Sequence, residues 1–250
     1  MYSLKKIIKK FLLRISPSWR SENVILQNNR YLREILFASV FNDSIRNVDW
    51  IKKNTFSPSG ASVNYSFLYI LFKILDFVRP KNILELGMGE SSKLLFQYAY
   101  ANKDSRLYCV DDNKFWMDKV KEENKDFNND NINSLLLNLK EKNINNFKIK
   151  AYDKLIENLN DLKFNLILID GPCGNSRYSR FGALELITNN LAQDFVIIVD
   201  DYDRKGEQDL AEAIILKLNE LKINYEYCVY RGIKFQAIIY SKKFNYLETL

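Results

Sequence analysis

Four short apolar runs in this chain of 250 residues end at an acid or just before one. They read "NILELG" (82–87), "RLYCVDD" (106–112), "NLILIDG" (165–171) and "FVIIVDD" (195–201). A strand that is apolar at nearly every position, rather than at alternate ones, must be covered on both faces. Between and around the runs, helical periodicity marks residues 91–101, 114–123, 131–142, 154–159, 180–189 and 207–219. Strands alternating with helices predict an α/β protein with a doubly wound, mostly parallel sheet. Further strands at 147–151, 225–230 and 235–240 bring the sheet to seven. The last two are separated only by "RGIK" (231–234), so the sheet should finish in a C-terminal antiparallel hairpin.

Residues 57–250 carry this pattern as one domain, and residues 1–56 form a helical N-terminal extension. Within the extension, Leu4, Ile7, Ile8, Phe11, Leu12 and Ile15 share one face of a helix over about 3–16, opposite Lys5, Lys6, Lys9 and Lys10. Pro17 ends that pattern. A basic amphipathic helix of this kind suits an anionic membrane surface. It equally suits docking on its own domain or on a second subunit of a homo-oligomer. The net charge is +6, but Lys5, Lys6, Lys9, Lys10, Arg14 and Arg20 concentrate it before residue 21, which disfavours nucleic acid as a partner. No apolar run reaches the roughly 18 residues of a spanning helix. The expected location is the cytoplasm, with peripheral attachment to the inner face of the membrane.

The chain has no histidine, which excludes a histidine base, a Ser-His-Asp triad and histidine-ligated metal. Cys109, Cys173 and Cys228 lie too far apart in sequence for a CxxC pair or zinc spacing. The chemistry must therefore come from carboxylates, lysines, arginines and backbone groups.

Ligands of open α/β sheets bind outside the carboxyl ends of the strands. Glu85, Asp111, Asp170, Asp200 and Asp201 should gather there. The first turn, "ELGMGESS", has Gly87 and Gly89 for a tight bend and close approach of a ligand. A dinucleotide fingerprint would need a third glycine where Ser91 or Ser92 stands, and Glu90 would face a pyrophosphate. A zwitterionic or cationic ligand suits this turn better. Asp111, at the end of the second strand, is placed to bond a ribose diol.

The motifs "ILELGMGESS", "LYCVDDN", "FNLILIDGP" and "FVIIVDDYDR" resemble, in order and spacing, those of class I S-adenosylmethionine-dependent methyltransferases. The resemblance begins at about Ser57. It implies that Glu85, Gly87, Gly89, Ser91 and Ser92 frame the methionine part of the cofactor. By the same resemblance Asp111 bonds the ribose, Asp112 or Asn113 lies beside the adenosine, Asp153 sits near the adenine, and Asp170 faces the reacting methyl group. The loops are similar to those of bacterial enzymes that methylate small molecules or sugars on oxygen, which implies a sugar, glycan or acidic hydroxylated acceptor in polysaccharide biosynthesis.

Outside the first turn the most distinctive stretch is "IDGPCGNSRYSRFGALEL" (169–186). Arg177, Tyr178 and Arg180, with Tyr202 after the fifth main strand, are candidate substrate contacts, since arginines pair bidentately with carboxylate or phosphate. The alternative is that these arginines pair with neighbouring acids. With no histidine, Asp170 and then Asp201 are the candidate bases. Asp170, Asp200 and Asp201 also form a candidate oxygen set for a divalent cation such as Mg²⁺. Some O-methyltransferases of this fold carry an Asp-Asn pair where Asp201 and Tyr202 stand here, so metal is not favoured. Two other readings compete: a non-catalytic binding or scaffold protein on the same fold, and a nucleotide-sugar or dinucleotide enzyme.

Overall fold

The computed structural model describes residues 17–58, 62–144, 146–173 and 177–250. The amphipathic segment at 3–16, part of the 57–62 turn cluster and Gly174 lie outside the described residues. The described chain begins with helix α1 (Pro17–Ser44), followed by α2 (Tyr65–Val78). Then come β1 (Asn82–Leu86), α3 (Ser92–Ala101), β2 (Arg106–Asp111), α4 (Lys114–Glu123), β3 (Ile132–Leu136), β4 (Leu139–Ile144) and β5 (Phe147–Tyr152). The chain continues with α5 (Leu155–Leu159), β6 (Phe164–Ile169), α6 (Glu185–Asn189), β7 (Leu191–Val199), α7 (Lys205–Glu220), β8 (Glu226–Arg231) and β9 (Phe235–Tyr240).

Seven strands form one sheet in the order β3-β2-β1-β6-β7-β9-β8. The first five in that order are mutually parallel, while β9 runs antiparallel to both β7 and β8. The chain steps outward from β1 to β2 and β3, then returns to place β6 on the other side of β1. The strand order reverses between β1 and β6, which is where open α/β sheets form their binding crevice. β-Strand side chains alternate faces, and both faces are covered. Ile83, Cys109, Leu168 and Ile198 pack with α1 to α4, whereas Leu84, Val110, Ile167 and Ile197 pack with α5 to α7. Each fully buried aliphatic or aromatic side chain of these layers contributes roughly 1.5 to 3 kcal/mol.

One stretch departs from the sequence expectation. Residues 131–142 are not a helix but two strands, β3 and β4. Ile132, Leu135, Leu136 and Leu139 happen to match helical three-four spacing, yet β3 pairs along β2 from Leu107↔Ile132 to Asp111↔Leu136 and forms the edge of the sheet. The expected strand at 147–151 exists as β5, but outside the main sheet. It pairs only with β4, in a two-stranded antiparallel ribbon. Pairing to a distant strand outweighed a weak local pattern. The expected helix at 180–189 is broken into a 3₁₀ turn, Phe181–Leu184, and the short α6.

The extension is joined to the domain through its inner face. Phe41 of α1 and Ile45, just after it, share one core with Phe67, Leu71 and Phe72 of α2. Between them Glu34 accepts hydrogen bonds from the amides of Tyr65 and Ser66, the first residues of α2, and from Ile233 N in the β8–β9 turn. It supplies the cap that α2 lacks, because the side chain of Asn64 makes no capping bond to its own helix.

Candidate active site

The crevice is built where two turns touch. Gly87 follows β1 with φ +89°, a conformation suited to glycine, and a Cβ on it would lie 2.8 Å from Gly171 N. A Cβ on Gly171 would in turn lie 2.7 Å from Gly87 Cα and 2.5 Å from the Tyr152 hydroxyl. Only two residues without side chains allow the turns after β1 and β6 to meet this closely. Gly89 differs, since a Cβ there would meet nothing within 4 Å, so the far side of the turn opens onto free space.

Glu85 is fully enclosed beneath this turn. It accepts hydrogen bonds from Ser91 Oγ at 2.6 Å, Ser92 Oγ at 2.7 Å and Cys109 Sγ at 3.2 Å. The serines that stand in place of a third glycine therefore bind the acid of the same motif. Burial pushes the Glu85 carboxyl up to about 7, against the lowering effect of the two serines and the thiol. Glu90 is turned away from the crevice. It accepts from Ser57 N at 2.7 Å and pairs with Lys93 at 2.9 Å, which ties the 51–58 segment to the start of α3.

Asp111 closes the crevice on the β2 side. Its Oδ2 accepts from Met88 N at 2.9 Å, inside the glycine turn, and its Oδ1 accepts from Asn113 N at 2.8 Å. Burial raises its carboxyl, and the two backbone amides oppose the rise. Asn113 caps α4 by accepting from Trp116 N, while the Trp116 indole donates to Met88 O at 2.7 Å. Asp112 is exposed beside them. Asp153, half-buried, is returned to this end of the sheet by the β4–β5 ribbon: its amide donates to Asn138 O at 2.8 Å, just beyond β3.

On the β6 side stands a dense set of charges. Arg180 is buried, and its Nη2 lies 2.8 Å from Asp170 Oδ1 and 2.9 Å from Asp201 Oδ2. Its Nη1 donates to Asp200 O at 3.0 Å, and its Nε lies 3.9 Å from Glu207. Arg204 reaches the same Asp201 oxygen at 2.9 Å, and Lys234 lies 3.3 Å from Asp201 Oδ1. Asp200 is wholly enclosed and accepts from Gln236 Nε2 at 2.8 Å. Burial would lower the Arg180 guanidinium, but Asp170, Asp201, Asp200 and Glu207 raise it above its usual value. The Asp170 carboxyl is pushed up by burial and by Asp200, with Arg180 opposing. Asp200 is raised by burial and then by Asp201.

The remaining residues read as substrate contacts take other positions. Arg177 pairs with Asp209 of α7 at 2.6 Å and lies over the Tyr178 ring. Tyr178 is buried at φ +68° between Phe147 and Phe181, in a small core under the ribbon. Tyr202 is half-buried, its amide bonded to Phe235 O. Sequence reasoning missed Gly171 as the counterpart of Gly87, and it missed Lys234 and Gln236, which reach the acids from the terminal hairpin. It also missed Tyr152, whose hydroxyl is buried without a hydrogen-bond partner among the described residues and is raised by burial and then by Asp111, Asp112 and Asp170. No local pattern signals these residues, because their partners are remote in sequence.

A divalent cation is a poor fit to this set. Carboxylate oxygens of Asp170, Asp200 and Asp201 do lie within 4.8 Å of one another. Six or more oxygen ligands would be required around Mg²⁺ or Ca²⁺. Here Asp170 Oδ1, both Asp201 oxygens and Asp200 Oδ1 already face protein cations or an amide.

No family model matches the sequence, and no curated protein matches it. Solved structures do. A putative caffeoyl-CoA O-methyltransferase from Staphylococcus aureus aligns over 84% of this chain and 99% of its own, at 17% identity and a TM-score of 0.54. The O-methyltransferase TomG from Streptomyces achromogenes, in complex with SAM, aligns over 86% and 98% at 12% identity and a TM-score of 0.55. An O-methyltransferase from Bacillus cereus, in complex with SAH, aligns over 94% and 97% at 15% identity and a TM-score of 0.50. At such identities the likeness is one of fold.

Proposed function

We propose that this chain, which has the Rossmann-like fold of class I methyltransferases, is an S-adenosylmethionine-dependent methyltransferase acting on oxygen of a small hydroxylated acceptor, a sugar or glycan. One observation carries the reading. The Gly87–Gly89 turn, open at Gly89, is locked by its own amide to Asp111 at the strand-order reversal, with Asp170 across the Gly87–Gly171 contact. The residues fit the cofactor. Asp111 keeps lone pairs for a ribose diol, Gly89 leaves room for the chain that carries the sulfonium, and Asp112 and Asp153 flank the adenine side. Glu85, sealed below, shapes the turn through Ser91 and Ser92.

When bound, S-adenosylmethionine supplies an electrophilic methyl group. The chain must align the acceptor oxygen with it and take the acceptor proton. Asp170 is the base in this reading. It is partly exposed, and its Oδ1 is held by Arg180, which leaves Oδ2 as the oxygen to take a proton. Its raised carboxyl makes it a better proton acceptor than an ordinary aspartate. Asp201 is enclosed by Arg180, Arg204 and Lys234, which take up both of its oxygens.

The test is calorimetric titration of the full chain with S-adenosylmethionine, its demethylated product, NAD and a nucleotide-sugar. Binding of the first two alone is expected. Asp111→Ala should weaken both by about 5-fold to 150-fold, the loss of one or two hydrogen bonds to a charged group, ~1 to 3 kcal/mol. Absence of binding by the wild-type chain would remove the proposal, and unchanged affinity in the variant would remove Asp111 from the site.

A further inference from the structure

We propose that Arg180 is the resident cation of the Asp170–Asp200–Asp201 cluster: it occupies the position between carboxylates that a divalent ion would need, so the chain binds no divalent cation there and works without one. The inference deepens the methyltransferase reading, but its first test does not depend on that reading.

The geometry is specific. A single nitrogen, Arg180 Nη2, bridges Asp170 Oδ1 at 2.8 Å and Asp201 Oδ2 at 2.9 Å. Bridging two carboxylates from different strand ends is what a metal would do in this place. The other guanidinium nitrogens are also engaged, by the Asp200 carbonyl at 3.0 Å and by Glu207 at 3.9 Å. All of this occurs with the Arg180 side chain 6% exposed, so the guanidinium cannot move aside into water without leaving Glu207 buried and unpaired. Two further cations close the remaining approaches. Arg204 shares Asp201 Oδ2 at 2.9 Å, and Lys234 lies 3.3 Å from Asp201 Oδ1 and 3.9 Å from Asp200 Oδ2.

Ligand supply and charge both oppose an added ion. Of the six carboxylate oxygens, only Asp170 Oδ2 lacks a protein donor or close cation among the described residues; Asp200 Oδ2 has Lys234 at 3.9 Å and is sealed from solvent. Three cations face the four carboxylates of Asp170, Asp200, Asp201 and Glu207, three of which are raised by burial, so at most a single negative charge is left for a dication to neutralise. A guanidinium offers a fixed planar fork of donors, and its bond to Oδ1 restrains the Asp170 carboxylate. Arg180 is therefore a positioning residue for Asp170.

The test is Mn²⁺ binding to the full chain, followed by electron paramagnetic resonance. The wild-type chain should leave the signal of free Mn²⁺ unchanged. Arg180→Ala, which empties the bridge, should acquire one Mn²⁺ per chain with at least tenfold higher affinity, and Asp201→Asn in that background should abolish it. Stoichiometric Mn²⁺ on the wild-type chain that is lost in Asp201→Asn would overturn the proposal. So would a folded Arg180→Ala chain that gains no site. If Arg180→Ala does not fold, the wild-type titration and its Asp201→Asn control decide alone. A chain that excludes Mn²⁺ yet fails to bind S-adenosylmethionine would refute the proposed activity and leave this inference standing.

Discussion

Replacing Glu85 by glutamine should change how stability depends on pH more than it changes stability at any one pH. Glu85 is fully buried, with its oxygens bonded to Ser91, Ser92 and Cys109. Its carboxyl rises from 4.5 in the open chain to about 7 in the folded one. A raised carboxyl binds its proton more tightly when folded, so its contribution is fully present below pH 4.5 and is lost as pH climbs through about 7. With about 1.4 kcal/mol per unit, the loss across that window amounts to about 3 kcal/mol. Asp111, Asp170, Asp200 and Glu207 are raised as well, so the wild-type profile contains several such slopes. The difference between Glu85→Gln and wild type isolates one of them. The amide keeps an acceptor for one serine, and the other serine can turn its lone pair to the new N–H. Urea unfolding at pH 5 and pH 8 measures the effect. The variant should gain about 2.5 kcal/mol relative to wild type between the two conditions. Parallel profiles would mean that Glu85 does not titrate in this range and that the serines hold it ionised.

Gly171→Ala should lower stability by about 1 to 3 kcal/mol in the same assay, because the new methyl group would press on the Gly87 backbone and on Tyr152; a wild-type midpoint would deny the close contact of the two turns. Glu34→Ala should cost about 2 to 3 kcal/mol and expose α1 to proteolysis, since it strips the cap from α2 and the bond to Ile233; an unchanged digestion pattern would count against that anchor. The outer face of α1 leaves Ile25, Leu32, Ile35 and Leu36 more than half exposed, and no helix among the described residues is long and apolar enough to cross a membrane. Flotation with anionic vesicles should carry the full chain upward, and deletion of residues 1–16 should leave it in the soluble fraction; equal partition of the two would reject attachment through that segment.

The strands and the acids at their ends were legible because both are local. "LILID" and "VIIVD" state in five consecutive residues that a strand is covered on both faces and where it stops. The parallel order follows from alternation with helices, and the terminal hairpin from the short turn between its strands. The stretch 131–142 was not legible, since the leucines at 135, 136 and 139 fit a helix as well as a strand, and only pairing with β2 decided between them. The β4–β5 ribbon was hidden for the same reason.

In the site, the sequence by itself determined the two glycines of the first turn, the acid behind them and the carboxylates gathered at one edge. Those are properties of residue type and of strand ends, fixed by backbone sterics and by the direction of the sheet. Tertiary structure alone decided how the charges pair. It drew Arg180 inward to bridge Asp170 and Asp201, sent Arg177 out to Asp209, and brought Lys234 from the terminal hairpin. It also turned Ser91 and Ser92 down onto Glu85. The physical reason is range. Apolar patterning is written within one turn or one strand, whereas the partner of a buried charge is whichever loop folds over it, and that loop can be anywhere in the chain.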